Sequence, residues 1–396
     1  MVPFIDGLGG EIVLSFELVA GVFAGYSNPK ERCAAPLLDI DIAEGDHAIE
    51  AVAADWRHIE RAGGATTPFQ TLAVGAAAAS VHLRRGETPR IVIVRRAGRP
   101  TALLPTVIGR SAGVKAIRFL GDPLSQYGDI VAVPEATREH VEAAWRAAAD
   151  PRVAKLIHLR KVRADSRLAP ILDRAATMVA ETEAPFVALD GAYNTEPSRT
   201  RQQRRSHKRL AAHGTIRFEI LRGAEAQPAL RRALDLKRQW LEQRGLRSRV
   251  VGDPDWEMAL MMLAGETGRA SPLAVARLSA GGRTVAIEIG FEHARRWCSF
   301  LGAYEPAFAR TGPGHVQIAE AIAHCVANGI TVYDLLPPGD AYKRDIADGA
   351  VAVRDYAVPL CASGLAAMLA TRAAPAIKGV VERMPPMLRR ATLARK

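Results

Sequence analysis

The feature that most limits what this chain can fold into is a unit that occurs twice. IVIVRRAGRPTALLPTVIG followed by RFLGDPLSQYGD, and LAVARLSAGGRTVAIEIGF followed by SFLGAYEPAFARTGPG, each read as strand, turn, strand, then a third strand ending in Phe-Leu-Gly. Phe119-Leu120-Gly121 and Phe300-Leu301-Gly302 stand 181 residues apart, from 119 to 300. Self-similarity at that period indicates a duplicated domain, not a short repeat. At 396 residues the chain is also longer than one core usually organises. Only the second copy carries a glycine loop with a long helix behind it, so one lobe is expected to be active and the other supporting.

The elements around the two meanders follow the same order. Helical spacing over 46–62 and 69–84 precedes the first; a helix over 135–149, strand KLIHLRKV, a helix over 166–180 and strand PFVAL follow it. ETEAPFVALDGAYNTEPS gives a polar, proline-marked boundary. The second half has a basic helix over 196–212, strand TIRFEIL, helices over 225–243 and 254–267, the second meander, a helix from Gly314 to Asn328, strand TVYDLL and a late strand near AVRDYAVPL. This order predicts an α+β chain divided into lobes 1–190 and 191–362 and a tail, 363–396.

Charge is concentrated rather than spread. The net +11 resides almost wholly in RTRQQRRSHKR (199–209), with six Lys/Arg and no acid, and in 371–396, with seven against Glu382. Such runs are solvated helix faces or seats for anionic partners. Arg201, Arg205 and Lys208 are the candidates for holding substrate phosphates. In the tail, Ile377, Val380, Val381, Met384, Met387, Leu388 and Leu393 interleave with the cations and suggest an amphipathic segment at an anionic membrane surface. Pro385 and Pro386 would break it in two. Cys33, Cys298, Cys325 and Cys361 are scattered, without metal or disulfide spacing, so no metal and a reducing cytoplasm are expected. The N-terminal stretch lacks a basic leader and is interrupted by Glu11 and Glu17, which argues against a signal peptide or a span.

FARTGPGHVQIAEAI (308–322) places Arg310, Gly312, Pro313, Gly314 and His315 at the start of a helix. Glycine admits a close backbone approach, proline presets the first turn, and unpaired helical N–H groups attract an anion. A phosphate cradle and an ordinary glycine-capped loop are both consistent with this string taken alone.

Together with WRHIERAGGATTPFQTL, RIVIVRRAGRPTALLP, LKRQWLEQRG and YDLLPPGDAYKRDIAD, these strings in this order resemble the CelD-type proteins of cellulose and exopolysaccharide biosynthesis, from about Ile49 to about Pro359. Those proteins are similar to the FemAB-like branch of the GNAT N-acyltransferases. The resemblance implies a tandem duplicated GNAT fold of mixed central sheets flanked by helices. It also implies a pocket for acetyl-CoA or another acyl-CoA between splayed strands WCSFLGAY and TVYDLL. Phe300, Leu301, Gly302 and Ala303 would supply oxyanion donors, and Gly312, Gly314 and His315 the diphosphate cradle. The family's loop usually reads Gln or Arg, two residues, Gly, one residue, Gly or Ala; here Ala309 takes first place and Arg310 follows one residue late. Pro313 removes one backbone donor.

Acyl transfer to an amine needs a proton acceptor, an oxyanion donor and an acid for the leaving thiolate. Tyr342, in GDAYKRD after the last core strand, is the favoured acid or else an ordinary amphipathic tyrosine, and Lys343 beside it a phosphate or substrate-anion ligand, or else a surface lysine. Glu288, in the apolar strand AIEIGF, ranks first as base and Asp334 second, with His315 a further option and a structural ion pair the competing reading for both acids. Tyr127 and Asp129, in the first copy's SQYGD, would line the inter-lobe cleft, although a turn aspartate is the simpler reading of the latter. Trp240 reads first as a core aromatic and otherwise, with Lys237 and Arg244, as a platform for an acidic or lipid-linked glycan.

The resemblance and these residues together imply a cytoplasmic N-acyltransferase acting on an amino sugar or glycan precursor by direct attack, with the tail as a peripheral contact at the inner membrane. The alternatives are aminoacyl transfer from tRNA, the one reading that brings in nucleic acid, and a non-catalytic scaffold or sensor of polysaccharide synthesis.

Overall fold

The structure, a computed structural model, describes residues 38–189, 200–265 and 271–383. Cys33, the linker 190–199, and the tail's Met384, Pro385, Pro386, Met387, Leu388 and Leu393 lie outside the described residues, as do the side chains of Ile377, Val380 and Val381.

The strands are β1 (Leu38–Glu44), β2 (Thr88–Arg96), β3 (Arg99–Ser111), β4 (Val114–Phe119), β5 (Val131–Ala132), β6 (Leu156–Arg163), β7 (Thr177–Ala188), β8 (Ile216–Leu221), β9 (Leu273–Ala280), β10 (Arg283–His293), β11 (Arg296–Tyr304), β12 (Val332–Asp334) and β13 (Gly349–Pro359). They form one sheet in the order β1-β2-β3-β4-β6-β13-β7-β12-β11-β10-β9-β8, with β5 on β3. The order is a near-palindrome. Parallel pairing occurs at β4–β6 and β11–β12, in matching places of the two halves, and the remaining neighbours are antiparallel. Each half contributes one strand to the centre, and these strands cross over: β7 of the first half lies against β12 of the second, and β13 lies against β6. Duplication is therefore visible in topology as well as in sequence.

Helices cover both faces. α1 (Ala48–Arg61) and α2 (Leu72–Arg84) share one core with α6 (Ala226–Gln243) and α7 (Pro254–Gly265), so this hydrophobic layer spans both halves. α1 shows why: Ala48, Val52, Trp56 and Ile59 fall on one stripe and are all buried. On the opposite face lie α3 (Arg138–Ala148) and the short α4 (Ala169–Ala175). α5 (Arg201–Ala211), α8 (Pro313–Ala327), the four-residue α9 (Ala341–Arg344) and α10 (Ala362–Arg383) complete the set. α5 starts at a capping box, Gln203 N–H on Thr200 Oγ1 (3.1 Å) and Thr200 N–H on Gln203 Oε1 (2.8 Å).

One expected element is different. The helix expected over 166–180 ends at Ala175, and 177–188 is strand. Its ladder with β13 and β12 overrides the helix propensity of MVAETEA.

Asp129 is buried beneath the start of α4, where Oδ2 and Oδ1 accept the N–H groups of Arg167 (3.1 Å) and Leu168 (3.0 Å). It caps a turn and does not line a cleft. Burial raises its carboxyl to about 6, against amide hydrogen bonds that pull the other way. The folded carboxyl thus holds its proton more tightly than the unfolded one, and stability falls as pH rises from about 4 to about 6. Asp129→Asn is expected to remove a step of about 3 kcal/mol. Urea unfolding of both proteins at about pH 4 and about pH 7 measures it; an unchanged step in the variant contradicts the assignment.

Candidate active site

β11 and β12 pair over only three residues, Arg296–Cys298 with Val332–Asp334, and then separate. At the same level β11 slips against β10: Ile289 faces Leu301 while Gly290 faces Ser299, leaving Phe300 as a bulge. The half-strand from Ser299 to Tyr304 is therefore unpaired on its β12 side, and its alternate backbone N–H groups face the gap. Phe300, Leu301, Gly302 and Ala303 lie on this half-strand, on one wall of a fork between parallel strands.

The chain leaves β11 through a 3₁₀ turn, Pro306–Thr311, into α8. Gly312 caps α8 at φ +71°, a left-handed conformation that favours glycine. The Gly312 and His315 amides are bonded to the Ala309 and Gly312 carbonyls, and Pro313 has none. The Gly314 amide has no partner among the described residues, and a Cβ built on Gly314 meets nothing within 4 Å. Beside it, Ser206 of α5 is fully buried with its Oγ unpartnered, 2.5 Å from where a Gly312 Cβ would stand. An exposed amide and an orphaned hydroxyl at a helix N-terminus suit an anion. α5 docks here through Ser206 and Leu210, leaving Arg201, Arg205 and Lys208 exposed on its outer side. Arg310 is exposed on the 3₁₀ turn.

At the other end of the fork, Asp334 closes β12 and the backbone turns at Leu336, φ +61°. A β-carbon residue in that region is strained, and two contacts hold it: Leu336 N–H on Asp334 Oδ1 (2.9 Å) and Lys343 Nζ on Leu336 O (2.8 Å). Lys343 Nζ also donates to Pro338 O (3.0 Å) and the side chain is buried. Lys343 thus clamps the loop rather than reaching a phosphate, and burial lowers its ammonium pKa. Its neighbour Tyr342 is 51% exposed at the rim on α9. Partial desolvation and the charges of Asp340 and Glu288 push its phenol to about 12.

Both candidate bases are enclosed. Glu288 Oε1 accepts Trp297 Nε1–H (2.7 Å), and Oε1 and Oε2 accept Tyr333 O–H (3.0 and 2.9 Å). Burial raises its carboxyl; the Trp297, Tyr333 and Ser299 donors oppose that without cancelling it. Glu288 is better described as a positioning residue that ties β10, β11 and β12 together just behind the fork. Asp334, with no exposure, accepts Tyr127 O–H (2.7 Å), Arg296 Nη1 (2.8 Å) and Arg163 Nη1 (3.3 Å). It is a buried ion-pair hub joining the two halves. Tyr127 is correspondingly buried under Arg163, 4.8 Å from guanidinium to ring, and lines no cleft.

Trp240 departs from the core reading. It is half-buried on α6, with Lys237 Nζ 4.3 Å and Arg244 Cζ 4.2 Å from its ring. Burial and Arg244 lower the Lys237 pKa while Asp340 opposes them. Asp340 thus acts on both Lys237 and Tyr342, which puts the cationic aromatic platform across from the α9 turn. Sequence reasoning missed Ser206 and Tyr333. A serine at the buried spacing of a cationic helix was the available signal for the first; the second has none, because its partners come from other strands.

Residues 197–344 match the family model described as Acetyltransferase (GNAT) domain, which takes in α5 through α9. No curated protein matches the sequence. Among solved structures, the chain is similar to FemX, at 11% identity, 77% of this chain, 96% of that one and TM-score 0.54. It is also similar to the C-terminal domain of a putative lysylphosphatidylglycerol synthetase from Agrobacterium fabrum, at 14%, 81%, 96% and 0.51. At such identities the likeness shows the fold alone: a GNAT-type mixed sheet flanked by helices. The domain match makes the chain an N-acyltransferase.

Proposed function

We propose that this chain transfers an acyl group from acetyl-CoA or another acyl-CoA to the amine of an amino sugar or glycan precursor in exopolysaccharide assembly. The observation that carries the reading is the β11–β12 fork beside the open Gly314 amide and the unpartnered Ser206 hydroxyl. These groups fit a ligand with a narrow neck and an anionic diphosphate. When bound, an acyl-CoA supplies an activated acyl carbon and a thiolate leaving group.

The chain's own residues divide the remaining work. The released N–H groups between Ser299 and Ala303 are donors of the kind an acyl oxygen needs as its charge develops. The open Gly314 amide and the Ser206 hydroxyl seat the diphosphate at the turn that Gly312 caps, with Arg310 and the α5 cations adding positive charge nearby. Tyr342 keeps its proton at neutral pH and can donate it at the rim. Lys237, Trp240 and Arg244 receive the acceptor, whose amine loses its proton to solvent at the open mouth. Glu288 positions Tyr333, Trp297 and Ser299 behind the fork. The glycan assignment rests on the CelD-type resemblance and on this cationic aromatic platform.

Thiol release from acetyl-CoA with a panel of amino sugars tests the reading. Turnover with at least one amino sugar is expected; binding without turnover favours the scaffold alternative. Tyr342→Phe is expected to lower kcat about a hundredfold with little change in KM for the acyl-CoA, and an unaltered kcat removes the acid role. The exposed cations of α5 favour one second reading, aminoacyl-tRNA as donor, in which tRNA binds and weakens steeply with salt.

A further inference from the structure

Outside the fork, an open cleft of about 510 Å³ lies between the two halves, where the end of β3, the start of β4 and the turn after α2 meet the segment leading into α7. Five cations line it: Arg85, Arg110, Lys115, Arg118 and Arg249. Its two acids are already engaged. Glu87 accepts from Arg118 Nη2 (2.6 and 2.7 Å) and pairs with His82 (2.6 Å), and Asp253 accepts from Arg85 (2.5 Å).

The excess positive charge of the lining rests on Arg110 and Lys115. Arg249 shares Asp122 with Arg118 and Arg160, whose other partners are Glu87 and Asp355. Lys115 has no ion pair among the described residues, and the Arg110 guanidinium reaches only the Gly113 carbonyl (2.5 Å). Two of the lining side chains also hold buried donors without an acceptor: Arg118 Nε, in a residue 6% exposed, and Trp256 Nε1, in a residue with no exposure. A ligand that answers both the excess charge and these donors is an anion with several acceptor oxygens.

We propose that this cleft is a second anion-binding site, distinct from the α8 entrance, which takes a phosphate or diphosphate group of a small molecule on Arg118, Trp256, Lys115 and Arg249. The site is built by both halves, Arg118 and Lys115 from β4, Arg249 and Trp256 from the α6–α7 region, so its occupant bridges them. The proposal stands independently of the acyl-CoA reading.

Calorimetric titration of the full chain with inorganic phosphate and inorganic pyrophosphate at low salt, with and without saturating coenzyme A, tests it. Binding of at least one anion is expected to persist with coenzyme A present. Lys115→Ala and Arg249→Ala are each expected to weaken it about tenfold. Both residues are at the surface, and Asp122 keeps Arg118 and Arg160 when Arg249 is removed, so the fold should be retained; melting curves of both variants check this. No anion binding, binding that neither substitution weakens, or binding wholly displaced by coenzyme A overturns the proposal. If coenzyme A does not bind at all, the two substitutions still decide the matter.

Discussion

Gly314→Asp is expected to weaken coenzyme A binding about a hundredfold while leaving the melting temperature unchanged or slightly raised. Gly314 is exposed in the first turn of α8, with open space where a side chain would begin. An aspartate there complements the helix dipole, so folding does not suffer. The same carboxylate stands where the diphosphate would sit, and juxtaposed like charges cost several kcal/mol. Calorimetry with coenzyme A beside a thermal melt separates the two effects. An unchanged affinity would mean that the α8 entrance is a glycine-capped turn and nothing more.

The largest effect on stability is expected at Asp334. Asp334→Ala leaves Arg163 and Arg296 without their shared carboxylate and strands the Tyr127 hydroxyl and the Leu336 amide, all in a buried junction. Breaking a buried pair on one side costs about 3–5 kcal/mol. Asp334→Asn, which keeps an acceptor for Tyr127 and Leu336, is expected to cost less. A general base at this position would behave differently, losing kcat with stability intact. Urea unfolding of both variants decides between the roles, and a loss below about 1 kcal/mol for the alanine contradicts the hub.

The contrast between Gly314 and Asp334 shows what the sequence makes legible. Backbone devices are local: a glycine pair ahead of a helical run, or a strand closed by Phe-Leu-Gly, carries its geometry in a few adjacent residues. The meanders, the α8 entrance and the duplication could therefore be read directly. Side-chain partnerships are assembled across strands. Glu288 looks like an acid free to act until Trp297 and Tyr333 arrive from β11 and β12 to enclose it. Lys343 looks like a phosphate ligand until the turn brings two carbonyls to its ammonium. Trp240 shows the same limit in reverse, since helical spacing gives its face of α6 but not whether anything covers that face. The misplaced helix over 166–180 has a related cause: MVAETEA favours a helix locally, and only the exchange of β7 and β13 between halves makes it a strand.

On the proposed function, the entrance of α8, beside the β11–β12 fork, seats the diphosphate of an acyl-CoA. A crystal structure of the coenzyme A complex tests it most directly. Diphosphate oxygens are expected on the Gly314 amide and near Ser206, with the pantetheine arm running between Ser299–Tyr304 and the end of β12. A nucleotide bound in the first half, or one that leaves the Gly314 amide untouched, would contradict it.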